Sequence, residues 1–259
     1  IDAVPLPADK VDVVRIHLGG GTPTWLSASE LEQLYTMLYR RFRPVEGAEI
    51  SVEADPEVTT DEQVETLARL GVNRLSMGVQ SFDPVVLAAV NRPQEAQRVF
   101  EITERSRALG MHSMNLDLIY GLPHQTPARF GETLRRTLEM RPDRLAVFGY
   151  AHVPWLKPHQ NKLDPAAIPT PLQRVELFLL AHQMLTDHGY LPIGLDHFAL
   201  PDDELSIAWR ERRLHRNFMG YTTMRDVPVI GLGMSAITEL PDQYVQQTVR
   251  LSRWWNAVE

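Results

Sequence analysis

Three glycines at Gly19–Gly21, followed by Thr22 and Pro23, cannot prolong a strand. Without Cβ atoms such a turn lets the backbone lie against a ligand and offer it N–H groups. No Gly-Lys-Ser/Thr follows, so the turn does not read as a triphosphate loop and suits a small zwitterion better. Glu53 and Asp117 fall within or at the ends of apolar stretches, where an unpaired carboxylate costs several kcal/mol by rough measure. Each needs a partner, which a helix N-terminus, a salt bridge, an acid/base couple or a bound cation would supply. The histidines, among them His17, His112, His182 and His188, show no metal-ligand spacing and read as structural or solvated.

The elements that must carry these groups recur along the chain. Short apolar runs at Val11–Leu18, Ala48–Glu53, Arg74–Gln80, Met114–Ile119, Arg144–Phe148 and Leu191–Leu195 read as strands. Between them, 27–42, 60–70, 94–109, 127–140 and 171–188 carry helical periodicity. Ser27 stands three before Glu30, a capping-box spacing, and Gly71, Gly110 and Gly189 follow helices where a left-handed cap is wanted. Strand alternating with helix predicts an α/β fold with a parallel sheet, either a partial (β/α)6 TIM-like barrel or a doubly wound open sheet. In a barrel, the residues ending the strands share one rim: Gly19–Thr22, Glu53 and Asp55, Gln80, Asp117, Tyr150–His152, and Asp196–His197. Residues 154–171 form a Pro-rich excursion, and after Leu200 the strand–helix rhythm fades, with 227–237 able to return as a short strand.

Bulk properties narrow the class. A formal net charge of −7 with no basic run argues against nucleic acid. No stretch is long and apolar enough to span a membrane, and the start lacks a signal-peptide pattern, so a cytoplasmic protein binding a small molecule is expected. There is no cysteine, which excludes disulfides and thiolate-held metal within these residues.

Taken together, GGGTPTWL at 19–26, EADP at 53–56, RLSMGVQSF at 74–82, NRPQ at 91–94 and NLDLIYGLPHQT at 115–126 resemble the radical S-adenosylmethionine enzymes of haem biosynthesis. The likeness continues through FGYAHVP at 148–154, LDHFALPDDEL at 195–205, LHRNFMGYTT at 214–223 and GLGMSAI at 231–237. It is to the oxygen-independent coproporphyrinogen III oxidases more than to the related haem chaperones, which differ at Asn91–Arg92 and at Asp196–Ala199. The chaperones remain the alternative reading.

That resemblance implies a partial barrel, a four-iron four-sulfur cluster and a 5′-deoxyadenosyl radical that initiates decarboxylation of two propionates of coproporphyrinogen III, giving protoporphyrinogen IX. It implies two S-adenosylmethionine molecules: Gly20, Gly21 and Thr22 receive their methionine ends and Glu53 accepts from an ammonium or ribose hydroxyls, Ile237 packs near the first adenine, and Gln80, Arg92, Asp117 and Ala151 join Gly21 and Thr22 at the second. Arg92, His152, Arg216 and Tyr221 are candidates for propionate contacts; no catalytic residue is assigned. A small-molecule substrate, an electron donor and a monomer are expected. The family's CxxxCxxC motif is missing, so residues 1–259 read as the catalytic core of a longer enzyme, lacking the cluster loop and a C-terminal region and unable to form radicals alone.

Overall fold

A computed structural model describes residues 9–259. The elements run β1 (Val11–Leu18), α1 (Ala28–Arg41), β2 (Phe42–Ala54), α2 (Asp61–Arg69), β3 (Arg74–Gln80), α3 (Pro84–Ala89), α4 (Ala96–Ala108), β4 (Ser113–Tyr120), α5 (Pro127–Met140) and β5 (Arg144–Gly149). Then follow α6 (Pro171–Asp187), β6 (Leu191–Pro192), β7 (His197–Ala199), α7 (Glu204–Arg210), the hairpin β8 (His215–Asn217) and β9 (Gly220–Thr222), the hairpin β10 (Ile237–Leu240) and β11 (Gln243–Gln246), and α8 (Leu251–Val258).

Local chemistry sets the helix boundaries. Ser27, Thr60 and Thr170 each close a full capping box on α1, α2 and α6, satisfying N–H groups that the first turn leaves orphaned. Gly71, Gly110 and Gly189 adopt φ of +89°, +90° and +87° just past three helices, as the sequence predicts.

The sheet has seven strands in the order β1-β2-β3-β4-β5-β7-β6, and its first four pairings are parallel. The mostly parallel α/β fold is therefore as expected, with β1 and β6 at opposite edges of an open sheet. The sixth strand differs. Only Leu191–Pro192 of the expected 191–195 run is strand, and β7, antiparallel to both neighbours, lies between it and β5. Ile193 N–H bonds back to the His197 carbonyl at 2.8 Å, so the chain folds over as a hairpin before a longer parallel strand can form. Likewise 227–237 yields an isolated bridge, Val229 to Glu239, and its strand starts only at Ile237.

The strands alternate, and the alternation separates two environments. Val52, Leu75, Met77, Leu116, Leu118, Leu145 and Val147 are fully buried beneath the helices, against Leu31, Tyr35, Leu67, Ile102, Phe130 and Leu177. Each such side chain removed from water contributes roughly 1.5–3 kcal/mol. Their neighbours along the strands are polar: Arg15 and His17, Glu49, Ser51 and Glu53, Arg74 and Ser76, Asn115 and Asp117, Arg144 and His197. The second face is thus a polar lumen. α7 covers it toward the strands' N-terminal ends, where Arg144 binds Asp203 and Glu204 at 2.7 Å each and Arg15 and Arg74 both reach Glu49 and Glu204. Three guanidinium groups against three carboxylates balance in charge, which a buried cluster requires.

Candidate functional site: the mouth of the polar lumen

At the strands' C-terminal ends the polar face opens among the loops. Gly20 and Gly21 turn the chain leaving β1 with φ of +77° and +65°, a region that other residues occupy at a cost. The turn aims the Gly20 N–H at Glu53 Oε2 on β2, 3.2 Å away. His17 completes the cluster: its Nε2 is 3.4 Å from Glu53 Oε1, and its Nδ1 is 3.0 Å from Ser51 Oγ. A Cβ on Gly19 would lie 2.4 Å from His17 Nε2 and 3.0 Å from the Glu53 carboxylate, so glycine is needed for that contact. The hydrogen bond from His17 holds Glu53 below the usual carboxylate range, helped by the Gly20 N–H and opposed by burial.

Asp117 is shifted the other way. Burial, with the Glu53 charge adding to it, pushes its pKa up to about 6 despite a 2.8 Å hydrogen bond from Asn115, whose amide also donates to Ser76. Two carboxylates at one mouth therefore differ in proton affinity, one kept ionised and one poised to exchange a proton near neutrality.

Gln80 and Arg92 converge over Gly78. Gln80 has φ of +66° and follows a register irregularity in the β3–β4 pairing. Its Nε2 lies 2.8 Å from where a Gly78 Cβ would stand, with Arg92 3.6 Å from the same point. Arg92 donates from one terminal nitrogen to Asp55 Oδ2 at 2.9 Å and to the Gly78 carbonyl at 2.7 Å, while its buried Nε has no partner among the described residues. That nitrogen thus spans the ends of β2 and β3, and the Nε–H is still to offer.

Thr22 precedes a short turn at Pro23–Trp25 and does not cap it with its side chain. Ala151 is exposed after β5, and its carbonyl is held by Gln160 Nε2 at 3.0 Å. His152 stacks on Tyr150 with ring centres 6.3 Å apart, its Nε2 buried and unpaired among the described residues. Arg216 lies over the Tyr221 ring at 5.6 Å, and Tyr221 meets His197 edge-on at 5.2 Å. Ile237 stands apart from these, on the separate β10–β11 hairpin, with its backbone against Gly231.

The structure thus joins Gly20 to Glu53, leaves Asp117 two strands away within reach of the Glu53 charge, sets Gln80 beside Arg92, and brings Arg216 to Tyr221. One histidine escapes the sequence reading: His17, read there as structural or solvated, contacts Glu53 and Ser51. The signal was alternation, since it stands on the strand face that carries the acids. His197, expected on the rim, lies on β7 opposite Ala146.

A turn of N–H donors, an ionised carboxylate and an arginine with a spare donor suit a ligand carrying both ammonium and carboxylate. Residues 7–137 match the model of the Radical SAM superfamily. The chain belongs to that superfamily. Over 255 residues it is 45% identical to oxygen-independent coproporphyrinogen III oxidase of Salmonella typhimurium, covering 98% of this chain and 56% of that protein. The protein of the same name from Escherichia coli K12 is 44% identical over 259 residues, covering 100% of this chain and 56% of the relative. A solved coproporphyrinogen III oxidase from Escherichia coli, described as a radical SAM enzyme, superposes with a TM-score of 0.93 at 44% identity, over 95% of this chain and 57% of that one. This radical SAM chain therefore spans just over half the length of the relatives it matches.

The superfamily's two cofactors fare differently against these residues. S-adenosylmethionine fits the mouth: the glycine turn leaves backbone exposed, Glu53 is ionised, and Arg92 Nε is buried without a partner. The iron–sulfur cluster does not fit. The chain has no cysteine, and no trio of His, Asp or Glu among the described residues is placed to hold a metal.

Proposed function

We propose that residues 1–259 form the cofactor- and substrate-binding core of an oxygen-independent coproporphyrinogen III oxidase of haem biosynthesis. What supports this above all is 45% identity sustained over 98% of the chain to a protein of that name. No helix among the described residues is long and apolar enough to cross a membrane. By the same reading the enzyme works in the cytoplasm as a monomer served by an electron donor. The cluster would need thiolates from outside these residues.

In this superfamily S-adenosylmethionine supplies a carbon radical able to take hydrogen from an unactivated C–H bond. The residues of this chain bind and orient. Gly20 N–H and Glu53 would hold the polar end of one S-adenosylmethionine, with Ile237 packing near its adenine. A second would rest on Gly21, Thr22, Gln80, Arg92, Asp117 and Ala151, where Asp117 meets positive charge and Arg92 Nε meets a carboxylate. His152, Arg216 and Tyr221 would receive propionates.

The test uses the parent polypeptide with its cluster thiolates, reconstituted anaerobically and supplied with S-adenosylmethionine, reductant and coproporphyrinogen III. Conversion to protoporphyrinogen IX that depends on each addition is expected. S-adenosylmethionine cleavage without decarboxylation, or haem transfer in its place, would overturn the reading.

A further inference from the structure

His197 is the polar group of the lumen that the roles above leave unused. It sits on β7 directly opposite Ala146 of β5, which in turn faces Asp117 of β4. With strands about 4.8 Å apart, His197 and Asp117 stand roughly 10 Å from each other across a floor made by one methyl group. The imidazole is walled edge-on by Phe148 at 5.9 Å and by Tyr221 at 5.2 Å. Its Nδ1 is buried and has no hydrogen-bond partner among the described residues.

A half-buried imidazole whose inner nitrogen is buried and unengaged is costly unless something else completes it. Burial, together with the Arg144 and Arg216 charges, holds the ring in its neutral form against the pull of Asp196. A neutral ring offers one acceptor and one donor, and its acceptor nitrogen pairs with an N–H or O–H group, which a bare carboxylate does not supply. Its neighbour is built the same way. The Tyr221 hydroxyl accepts from Leu195 N–H at 3.2 Å and donates to no group among the described residues. Gly194 makes room for it, since a Cβ there would lie 1.9 Å from that oxygen.

We propose that His197 contacts the substrate directly, accepting a hydrogen bond from a pyrrole N–H of the reduced tetrapyrrole while Phe148 and Tyr221 flank the macrocycle. This rests on the proposed function for the identity of the substrate. Charged propionates would be left to the groups already assigned to them, Arg216 foremost, so His197 would read the macrocycle itself.

The test compares His197→Phe, which keeps an aromatic ring between Phe148 and Tyr221 but removes both nitrogens, with His197→Gln, which restores a neutral acceptor and donor. In the parent enzyme, KM for coproporphyrinogen III should rise about tenfold in H197F, the scale of one lost hydrogen bond. Affinity for S-adenosylmethionine, measured by calorimetry, should stay at the wild-type value, and H197Q should recover most of the KM loss. An unchanged KM in H197F sinks the proposal, as does a loss that H197Q shares together with S-adenosylmethionine binding, which would make the ring purely structural. If wild-type enzyme fails to decarboxylate at all, the functional reading falls instead; the His197 contact is then judged by fluorescence titration of the same variants with coproporphyrinogen III, where unaltered affinity in H197F refutes it.

Discussion

Asp117 and Glu53 share one mouth, yet the first resists ionisation and the second favours it. For Asp117 the linkage runs against stability: between roughly pH 4 and pH 6 the folded chain keeps a proton that the unfolded chain has released, so stability falls as pH rises through that window. Asp117→Asn should therefore raise stability at pH 7.5 by roughly 1–2 kcal/mol and flatten that decline, as measured by urea denaturation across pH. A bound cation would draw the proton off. S-adenosylmethionine binding near pH 6 should then release a proton in wild type and none in D117N, which calorimetry in two buffers of unequal ionisation enthalpy would detect. Gly19 offers a steric counterpart: Gly19→Ala must push the His17–Glu53 pair apart, and about a tenfold weaker affinity for S-adenosylmethionine is expected with little change in unfolding midpoint. The rim was legible at this scale because Glu53, Gln80 and Asp117 interrupt apolar runs. The salt bridge from Arg92 to Asp55 was not, since it joins residues 37 apart whose meeting depends on the turn between β3 and α4.

Elements with strong local signals were legible to within a residue or two. α5 spans Pro127–Met140 as read, because Thr126 caps it and its apolar residues repeat at helical spacing. β7 and α7 left no such trace. Three residues cannot show a period, and β7 is strand only because β5 lies beside it. What fixes α7 is likewise remote: Asp203 caps it through Oδ1 to Leu205 N–H and, through Oδ2, pairs with the buried Arg144. Asp203→Ala removes both at once and leaves a guanidinium buried short of a partner, so a loss of about 3–5 kcal/mol is expected in urea unfolding. Asp203→Asn keeps an acceptor for the cap and should lose clearly less. Equal losses would show that the charge, not the cap, anchors the helix.

At the scale of the whole chain, these residues carry binding elements and no thiolate for a cluster. The lumen, the glycine turn and the carboxylate pair depend on strands and helices present in these 259 residues, and no thiolate contributes to them. Binding and radical initiation should therefore come apart in this chain. Treated anaerobically with iron and sulfide, it should gain no cluster absorption, and with dithionite it should release no 5′-deoxyadenosine, because it has no cysteine and the carboxylates and histidines among the described residues are not placed as a ligand set. Calorimetry of the same sample should still show S-adenosylmethionine binding, weakened by G19A through the His17–Glu53 pair. Cluster formation would mean that ligands other than cysteine assemble here, and loss of all binding would mean that the cluster orders the mouth, contrary to a rim held by its own hydrogen bonds.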